Sequence, residues 1–328
     1  RKFIDMYAGR LRNQVSFMLS ACNFYMPIFE EALDAYGLPL ELRYLPIIES
    51  ALNPSAVSRA GASGLWQFMI GTGKIYGLES NSLVDERRDP IKATWAAARY
   101  LKEMYDIYGD WNLVIAAYNC GPGTINKAIR RANGETDYWK IYNYLPKETR
   151  GYVPAFIAAN YVMTYYCDHN ICPMETNIPA STDTVQVNKN LHFEQIADLC
   201  NVPLDQIKSL NPQYKKHMIP GDSKPYTLRL PIDAISTFID KQDTIYAHRA
   251  DELFRNRKTV AVKEITPSTR KTTAPVAGKG KLTYYTIKSG DTLSTIAGKY
   301  GVTIKDIQRW NGMSNTKIAA GKRLKIYK

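Results

Sequence analysis

Apolar residues at helical spacing run through the first half of the chain. They recur with a period near 3.6, which is typical of amphipathic helices, and turn residues interrupt them. Asp89-Pro90 supplies an N-cap followed by proline at the first helical position, and Gly109 supplies the matching stop. The pattern predicts helices over residues 24–36, 40–52, 89–108, from about 112, and over 154–166. Residues 1–174 are therefore predicted to form an all-α domain.

The pattern changes after Pro173, where a repeat is visible at a spacing of one hundred residues, so that Val187 recurs as Ile287 and Asn211 as Asn311. Each copy predicts a short strand, two short helices and a second strand, the second strands being 226–230 and 323–327. The copies are assigned to 175–253 and 281–328, as two small α+β modules of βααβ order. Residues 254–280 are rich in Lys, Arg, Thr, Pro and Gly, a composition that predicts a flexible basic linker.

The net charge of +12 is concentrated near the end of the chain, where residues 254–328 hold 17 Lys and Arg against 3 Asp and Glu. This excess suggests a polyanionic partner such as nucleic acid, anionic lipid or an anionic wall polymer, or else a solvated basic surface, and charge alone does not choose. The five cysteines form an odd set without metal-ligand spacing. Cys167 and Cys172 are close enough for a small disulfide in an oxidising compartment, and free thiols are the alternative.

The sequence contains no apolar run of about eighteen residues, so no membrane-spanning helix is predicted. It begins at Arg1, with neither Met nor an apolar signal region. We interpret this as a processed or trimmed chain, in which an export signal or lipid anchor would lie ahead of Arg1.

One carboxylate lies within an apolar helix face. At 100° per residue Glu49 shares a face with Leu42, Leu45 and Leu52. Partial desolvation there raises the pKa of a carboxyl group and keeps its proton available, as a general acid in glycoside cleavage requires. The alternative is a structural Glu tied to a helix N-terminus or to an Arg.

Three further segments around this helix combine glycines, amides and aromatic rings. By themselves they could be core aromatics and turn glycines, but their combination is difficult to explain as packing. Glycines allow close approach of the backbone to a ligand, Gln67 has an amide suited to an N-acetyl group, and Trp66 a broad apolar ring. The segments are Gly64-Leu65-Trp66-Gln67, Tyr118-Asn119 before Gly121-Pro122-Gly123, and Tyr152-Val153 on a predicted loop.

Glu49-Ser50 precedes these three segments in the sequence. The four motifs have the order and approximate spacing found in the goose-lysozyme-like lytic transglycosylases, and residues 20–170 resemble that family. The resemblance implies a lysozyme-like fold and a single acid/base, Glu49, that cleaves the bond between N-acetylmuramic acid and N-acetylglucosamine. It implies no metal and no cofactor. Cys120, after Asn119, departs from the small residue usual there. The residues implied to orient Glu49 or hold the sugars are Ser50, Gly64, Trp66, Gln67, Tyr118, Asn119 and Tyr152.

Residues 284–328 resemble a LysM module, a βααβ fold that binds glycans containing N-acetylglucosamine. Its first binding loop corresponds to residues 289–293 and its second to 310–318. The first copy has Lys189-Asn190-Leu191-His192 in place of Ser-Gly-Asp-Thr, so we expect its fold to be kept and its glycan binding to be lost or weak. The glycan-binding residues implied in the second copy are Gly290, Asp291, Thr292, Leu293, Asn311 and Ile318.

These resemblances imply a peptidoglycan enzyme of the periplasm or the outer membrane, acting as a monomer on glycan strands, with no nucleic-acid partner. Two alternatives stay open. One is a muramidase that uses water and leaves reducing ends, and the other is a wall-binding scaffold with an inactive catalytic domain.

Overall fold

The computed structural model describes residues 1–176, 178–179, 181–254, 282–288, 290–311, 313, 316 and 318–327. They fall into two compact units, of which the first holds the residues up to 254 and the second those from 282 onward. The predicted linker lies outside the described residues from position 255 on.

The first part of the chain is helical, as the hydrophobic pattern predicted. Asp89 accepts hydrogen bonds from the backbone N–H groups of Ile91 and Lys92, and Gly109 ends the helix in the left-handed conformation, so both predicted caps are confirmed. The α-helices are α1 (Lys2–Asp5), α2 (Arg12–Ala35), α3 (Leu45–Ser50), α4 (Ile70–Ile75), α5 (Pro90–Tyr108), α6 (Trp111–Cys120), α7 (Pro122–Arg131), α8 (Tyr138–Ile141) and α9 (Lys147–Thr164). A π-helical turn (Met6–Arg10) and short 3₁₀ turns (Leu40–Tyr44, Glu86–Arg88, Tyr142–Tyr144, Tyr166–His169) join them.

The predicted helix over 40–52 is interrupted and shorter than expected. It begins as a 3₁₀ turn, continues as α3 and stops at Ser50, because Ala51 and Leu52 have left-handed backbone angles (φ of 52° and 57°). Leu42, Leu45 and Leu52 are nonetheless all buried, as the leucine stripe predicted. Glu49 therefore lies in the last turn of a short helix whose other face is core.

The prediction that the last helix begins at Pro154 and that Tyr152 lies on a loop is wrong. Helix α9 begins at Lys147 and continues through Pro154. A proline inside a helix removes one backbone hydrogen bond, here the one that Arg150 O would accept. The Tyr138 hydroxyl donates to that carbonyl instead, at 3.0 Å, so the helix keeps its path and carries Tyr152 on a rigid element.

The first module has the predicted βααβ order with added pieces. Strands β1 (Thr182–Val187) and β4 (Tyr226–Pro231) pair antiparallel, Thr182 opposite Pro231. A second pair, β2 (Asn190–His192) and β3 (Met218–Pro220), is also antiparallel. The helices are α10 (Phe193–Cys200), α11 (Leu204–Leu210), α12 (Ile232–Asp240), α13 (Gln242–Ala247) and α14 (Ala250–Leu253).

The second module has the shorter form of the same fold. Strands β5 (Leu282–Thr286) and β6 (Arg323–Tyr327) pair antiparallel around α15 (Leu293–Tyr300) and α16 (Ile304–Asn311). Its core includes Tyr285, Ile296 and Ile307. The predicted class, a helical domain followed by small α+β modules, is confirmed. Across the described part of the chain, no helix is long and apolar enough to cross a membrane.

Candidate functional site

Glu49 and Tyr152 meet although 103 residues separate them in sequence. Helix α3 presents the Glu49 carboxyl group toward α9, and the Tyr152 hydroxyl donates a hydrogen bond to its Oε1. Helix α9 can provide this donor because it continues through Pro154. The two side chains form the centre of the candidate site.

The environment of Glu49 raises its pKa to about 7 from an ordinary value of 4.5. Burial is the largest cause, because removing a carboxylate from water disfavours its charged form. The hydrogen bond from Tyr152 opposes this by stabilising the carboxylate, and the charge of Glu148 raises the pKa further. At neutral pH the group is present in both forms, as an acid that must also act as a base requires.

A cavity of about 490 Å³ opens beside Glu49. Its walls come from the first turns of the chain, from the end of α3, and from residues 56–58 and Gln67. Among the described residues that line it, Glu49 is the one carboxylic acid. The first turns contribute Met6, Tyr7, Leu11, Gln14 and Met18, which the sequence analysis did not single out.

The segment Gly64-Leu65-Trp66-Gln67 is held in place by the other motifs. Ser50 Oγ donates to Leu65 O at 2.9 Å, and the Tyr118 hydroxyl donates to Trp66 O at 2.7 Å. Ser50 and Tyr118 therefore fix the backbone next to Glu49. Neither role was visible in the sequence, because both acceptors are main-chain atoms from a distant segment.

Trp66 and Gly64 do not have the predicted ligand contacts. The Trp66 ring is completely buried, and its Nε1 donates to Thr94 Oγ1 at 2.9 Å, so the indole cannot stack on a sugar. Gly64 is required for packing within the protein: a Cβ there would lie 1.7 Å from Arg87 O. These two residues pack within the protein next to the site and do not line the cavity.

Gln67 and Asn119 are also engaged by the protein. Gln67 lines the cavity, but its Nε2 donates to Gly64 O at 2.7 Å and to Ala56 O at 3.3 Å. Asn119 Oδ1 accepts from Thr149 Oγ1 at 2.9 Å, which joins α6 to α9. The predicted pairing of the Gln67 amide with an N-acetyl group would have to replace these bonds wherever Nε2 is the donor.

Glu148 is a residue that the sequence analysis missed. It lies one helical turn before Tyr152 on α9, is exposed, and its charge acts on Glu49. The spacing of four residues would have placed it beside Tyr152 if the helix had been predicted to begin at Lys147. Its proximity makes it the second carboxylate to test.

Other acidic residues near this segment are structural. Asp89 caps α5, as predicted, and Asp85 forms a buried ion pair with Arg87. Glu86 is buried and pairs with Lys92 at 2.5 Å. Among the residues that the structure describes, no group of three or more His, Cys, Asp or Glu could hold a metal ion. All five cysteines are free thiols, Cys167 and Cys172 included.

In the second module the predicted glycan-binding residues divide into loop and core positions. Gly290 has a φ of 89°, and Asp291 Oδ2 accepts hydrogen bonds from the Tyr285 hydroxyl and Lys288 N, which order the loop. Thr292 caps α15 by accepting from Thr295 N. Ile318 is half-buried against the core.

Two of the predicted glycan ligands are corrected. Leu293 is 1% exposed and belongs to the core. The Asn311 amide nitrogen donates to Ile307 O and Lys325 O, and its oxygen accepts from Lys325 N. Asn211 makes the same set of bonds in the first copy, with Ile207 and Arg229, so the repeated Asn ties a helix to a strand.

In the first module the two loops that correspond to the binding loops are joined to each other. Strand β2 occupies the first loop and pairs with β3 just after the second. Asn190 also donates to Asp222 through its backbone and its amide. A Cβ on Gly221 would lie 2.2 Å from Lys189 O, so the two segments are in close backbone contact.

Family models match three stretches of the chain. Residues 26–141 match the Transglycosylase SLT domain, residues 181–247 the LysM-like domain of lytic transglycosylase MltD, and residues 285–326 the LysM domain. The chain therefore carries an SLT-type transglycosylase domain followed by two LysM-type domains.

Among curated proteins, the chain is similar to the membrane-bound lytic murein transglycosylase D of Escherichia coli. The two are 31% identical over 294 residues, which is 88% of this chain and 60% of that protein. The soluble lytic murein transglycosylase of E. coli is 33% identical over 124 residues, 36% of this chain and 19% of that protein. The crystal structure of the 70 kDa soluble lytic transglycosylase from E. coli aligns with a TM-score of 0.38 and 29% identity, over 44% of this chain and 24% of that one.

The raised pKa of Glu49 predicts a pH-dependent cost to stability. The folded state holds this proton up to about pH 7 and the unfolded chain only to about 4.5. The unfolded chain therefore binds fewer protons between these values, and the free energy of unfolding falls as the pH rises through this window. We expect Glu49→Gln to be more stable than the parent above the window, by on the order of 3 kcal/mol, and about equal below it.

Urea unfolding at several pH values measures this difference. Glu41→Gln, a change at an exposed carboxylate in the adjoining 3₁₀ turn, is the matched control. A difference between Glu49→Gln and the parent that does not grow across the window would show that Glu49 is not a desolvated acid.

Proposed function

We propose that this protein is a peptidoglycan lytic transglycosylase with Glu49 as its acid/base. The observation that carries the proposal is a single carboxyl group with a pKa of about 7, held by a tyrosine and facing a cavity. The SLT-type domain and the similarity to murein transglycosylases support the same reaction. The chain spans about 60% of the length of the E. coli membrane-bound lytic murein transglycosylase D.

In this mechanism Glu49 acts twice. As an acid it protonates the glycosidic oxygen between N-acetylmuramic acid and N-acetylglucosamine, and the bond from that oxygen to C1 of the muramoyl residue breaks. As a carboxylate it then takes the proton from the C6 hydroxyl of the same residue, whose oxygen bonds to C1 and closes a 1,6-anhydro ring. The proton returns to Glu49, and no water is consumed.

The surrounding residues keep Glu49 suited to both steps. Tyr152 stabilises the carboxylate form, while burial and Glu148 stabilise the protonated form, so the pKa stays near neutral. Ser50 and Tyr118 hold the backbone of residues 65 and 66, which positions Gln67 in the cavity wall. We propose these as positioning residues.

We further propose that the protein acts in the cell envelope and that the second LysM-type module attaches it to peptidoglycan. In the first module the paired strands β2 and β3 occupy the region of the binding loops, which favours a structural role. Attachment through this module would raise the concentration of glycan around Glu49 by tethering.

The products of digestion test the reaction. We expect purified sacculi treated with the protein to yield 1,6-anhydromuramoyl products, and Glu49→Gln to lower the rate at least ~10²–10⁴-fold because a general acid/base is lost. Mass spectrometry of the released muropeptides measures both. Glu148→Gln, at the second carboxylate near Glu49, should still give anhydro products, and Glu41→Gln, at an exposed carboxylate, is the matched control for the rate. A product pool made only of reducing muramic acid ends would identify a muramidase instead.

The pH dependence tests the role of Tyr152. Since Glu49 must be protonated to donate, we expect kcat/KM to fall above about pH 7. Tyr152→Phe removes the hydrogen bond that lowers the pKa of Glu49, so the fall should move to higher pH. Tyr118→Phe, whose hydroxyl is bound to Trp66 O, should leave the position of the fall unchanged. An unchanged profile in Tyr152→Phe would contradict the assignment.

Retention on insoluble peptidoglycan tests the division between the modules. The second module has its own core and can be made as residues 266–328. The core of the first includes Leu83 and Val84 of the helical domain, so it is compared as residues 1–254 carrying Glu49→Gln. We expect strong retention of residues 266–328 and much weaker retention of residues 1–254. Equal retention, or retention of residues 1–254 alone, would reverse the assignment.

A further inference from the structure

The connection between α4 and α5 belongs to the helical domain but contributes to the core of the first LysM-type module. We call residues 79–88 the bridging segment. Its Leu83 and Val84 are buried with the apolar residues of the first LysM-type module, although they precede that module by about a hundred positions. Backbone hydrogen bonds join the two: Asp85 N donates to Gln213 O and Lys215 N donates to Leu83 O, both at 2.8 Å. The module is thus attached to the bridging segment by both core and backbone.

Next to this attachment, Asp85 and Arg87 form a buried ion pair. Asp85 accepts two hydrogen bonds from Arg87, from Nε and from Nη2, both at 2.8 Å, and their side chains are 2% and 6% exposed. Burial by itself would raise the pKa of Asp85, but Arg87, together with Lys215 and Arg88, brings it below its ordinary value, so the carboxylate stays charged.

Lys215 contacts this pair from the module. Its Nζ lies 3.7 Å from Asp85 Oδ2 and donates to Asn81 O at 2.7 Å. The lysine side chain is 21% exposed, so the contact is partly shielded from water and salt. It supplies a second positive charge near Oδ2, the oxygen that also accepts the hydrogen bond from Arg87 Nη2.

Arg87 connects this ion pair to the candidate active site. Its Nη1 donates to Gly61 O at 2.8 Å and to Phe68 O at 2.9 Å, and so holds both ends of residues 61–68, which we call the site loop. The Arg87 carbonyl lies directly against Gly64, within the same loop. The site loop carries Gln67 into the cavity wall and receives the hydrogen bond of Ser50.

We propose that the first LysM-type module is a positioning element of the active site: Lys215, acting through Asp85 and Arg87, holds the site loop in the geometry that receives the glycan. Lys215 and Arg87 are positioning residues, since neither lines the cavity. The proposal rests on the proposed function for its kinetic consequence only. It also gives a role to the first LysM-type module, in which the segments that correspond to the binding loops are paired with each other.

The test compares two lysines of the module that both contact the bridging segment. Lys215→Met removes the charge beside Asp85, and Lys215→Gln can keep a hydrogen bond to Asn81 O without the charge. The matched control is Lys224→Met, because Lys224 pairs with Glu79 at 2.6 Å on the same segment but makes no contact with the Asp85–Arg87 pair. Lys215→Arg restores the charge. All are made in the full chain, and melting temperatures establish that each folds.

Two measurements follow, one independent of activity. Hydrogen exchange reads the site loop directly, because Ser63 N donates to Phe68 O and Gly64 N to Ala56 O. In Lys215→Met we expect exchange in the site loop to rise, and KM for peptidoglycan glycan strands to rise about 2- to 30-fold, the range for residues that couple distant sites. We expect kcat and the pH profile to stay unchanged, since Glu49 and Tyr152 lie on other elements. Lys215→Arg should return both readings toward the parent, and Lys224→Met should change neither.

The outcomes separate this proposal from the proposed function. Unchanged exchange and unchanged KM in Lys215→Met, in a protein that is active, would overturn it, as would equal effects of Lys215→Met and Lys224→Met. If the parent released no anhydro products, the proposed function would fail, while faster exchange of the site loop in Lys215→Met alone would still support the positioning role.

Discussion

The structure depends on keeping one carboxyl group partly out of water. Glu49 lies on a segment whose leucines are buried, and burial of its carboxyl group raises its pKa to about 7. Such a group lowers the stability of the fold at neutral pH, because the folded state holds a proton that the unfolded chain has released. The fold tolerates this through the hydrogen bond from Tyr152, which stabilises the charged form without removing the burial.

Most of the motifs around Glu49 support the site and do not line it. Trp66 is buried behind the cavity, Gly64 allows close packing on Arg87, and the hydroxyl of Tyr118 is bound to a main-chain carbonyl. Such contacts fix the backbone of the site loop, and the proposed reaction, in which a proton moves over a short distance, would need that precision. We infer that most of these motif residues maintain the geometry around Gln67 and Glu49.

The two LysM-type modules share a fold and differ in what surrounds it. In both, an asparagine ties the second helix to the last strand, through Asn211 and Asn311. In the first module the added pair β2–β3 joins the two segments that correspond to the binding loops. The first module also shares its core with Leu83 and Val84, while the second has a core of its own. One repeat belongs to the same compact unit as the helical domain, and the other lies in a second compact unit.

The sequence by itself determined the local features. Period and caps predicted α5 from Asp89 to Gly109, the repeat predicted both βααβ modules, and the leucine stripe predicted a buried Glu49. The caps and the leucine stripe depend on residues within a few turns of one another, and the repeat on a comparison of two stretches of sequence, so a linear pattern reports all three.

Tertiary structure decided which polar atoms are already engaged and by which partner. Tyr152 lies in a helix because Tyr138 satisfies the carbonyl that Pro154 leaves free, and the bridging segment joins a module that begins about a hundred residues later. Hydrogen-bond partners and shared cores bring together distant residues, and neither hydrophobic period nor spacing contains that information.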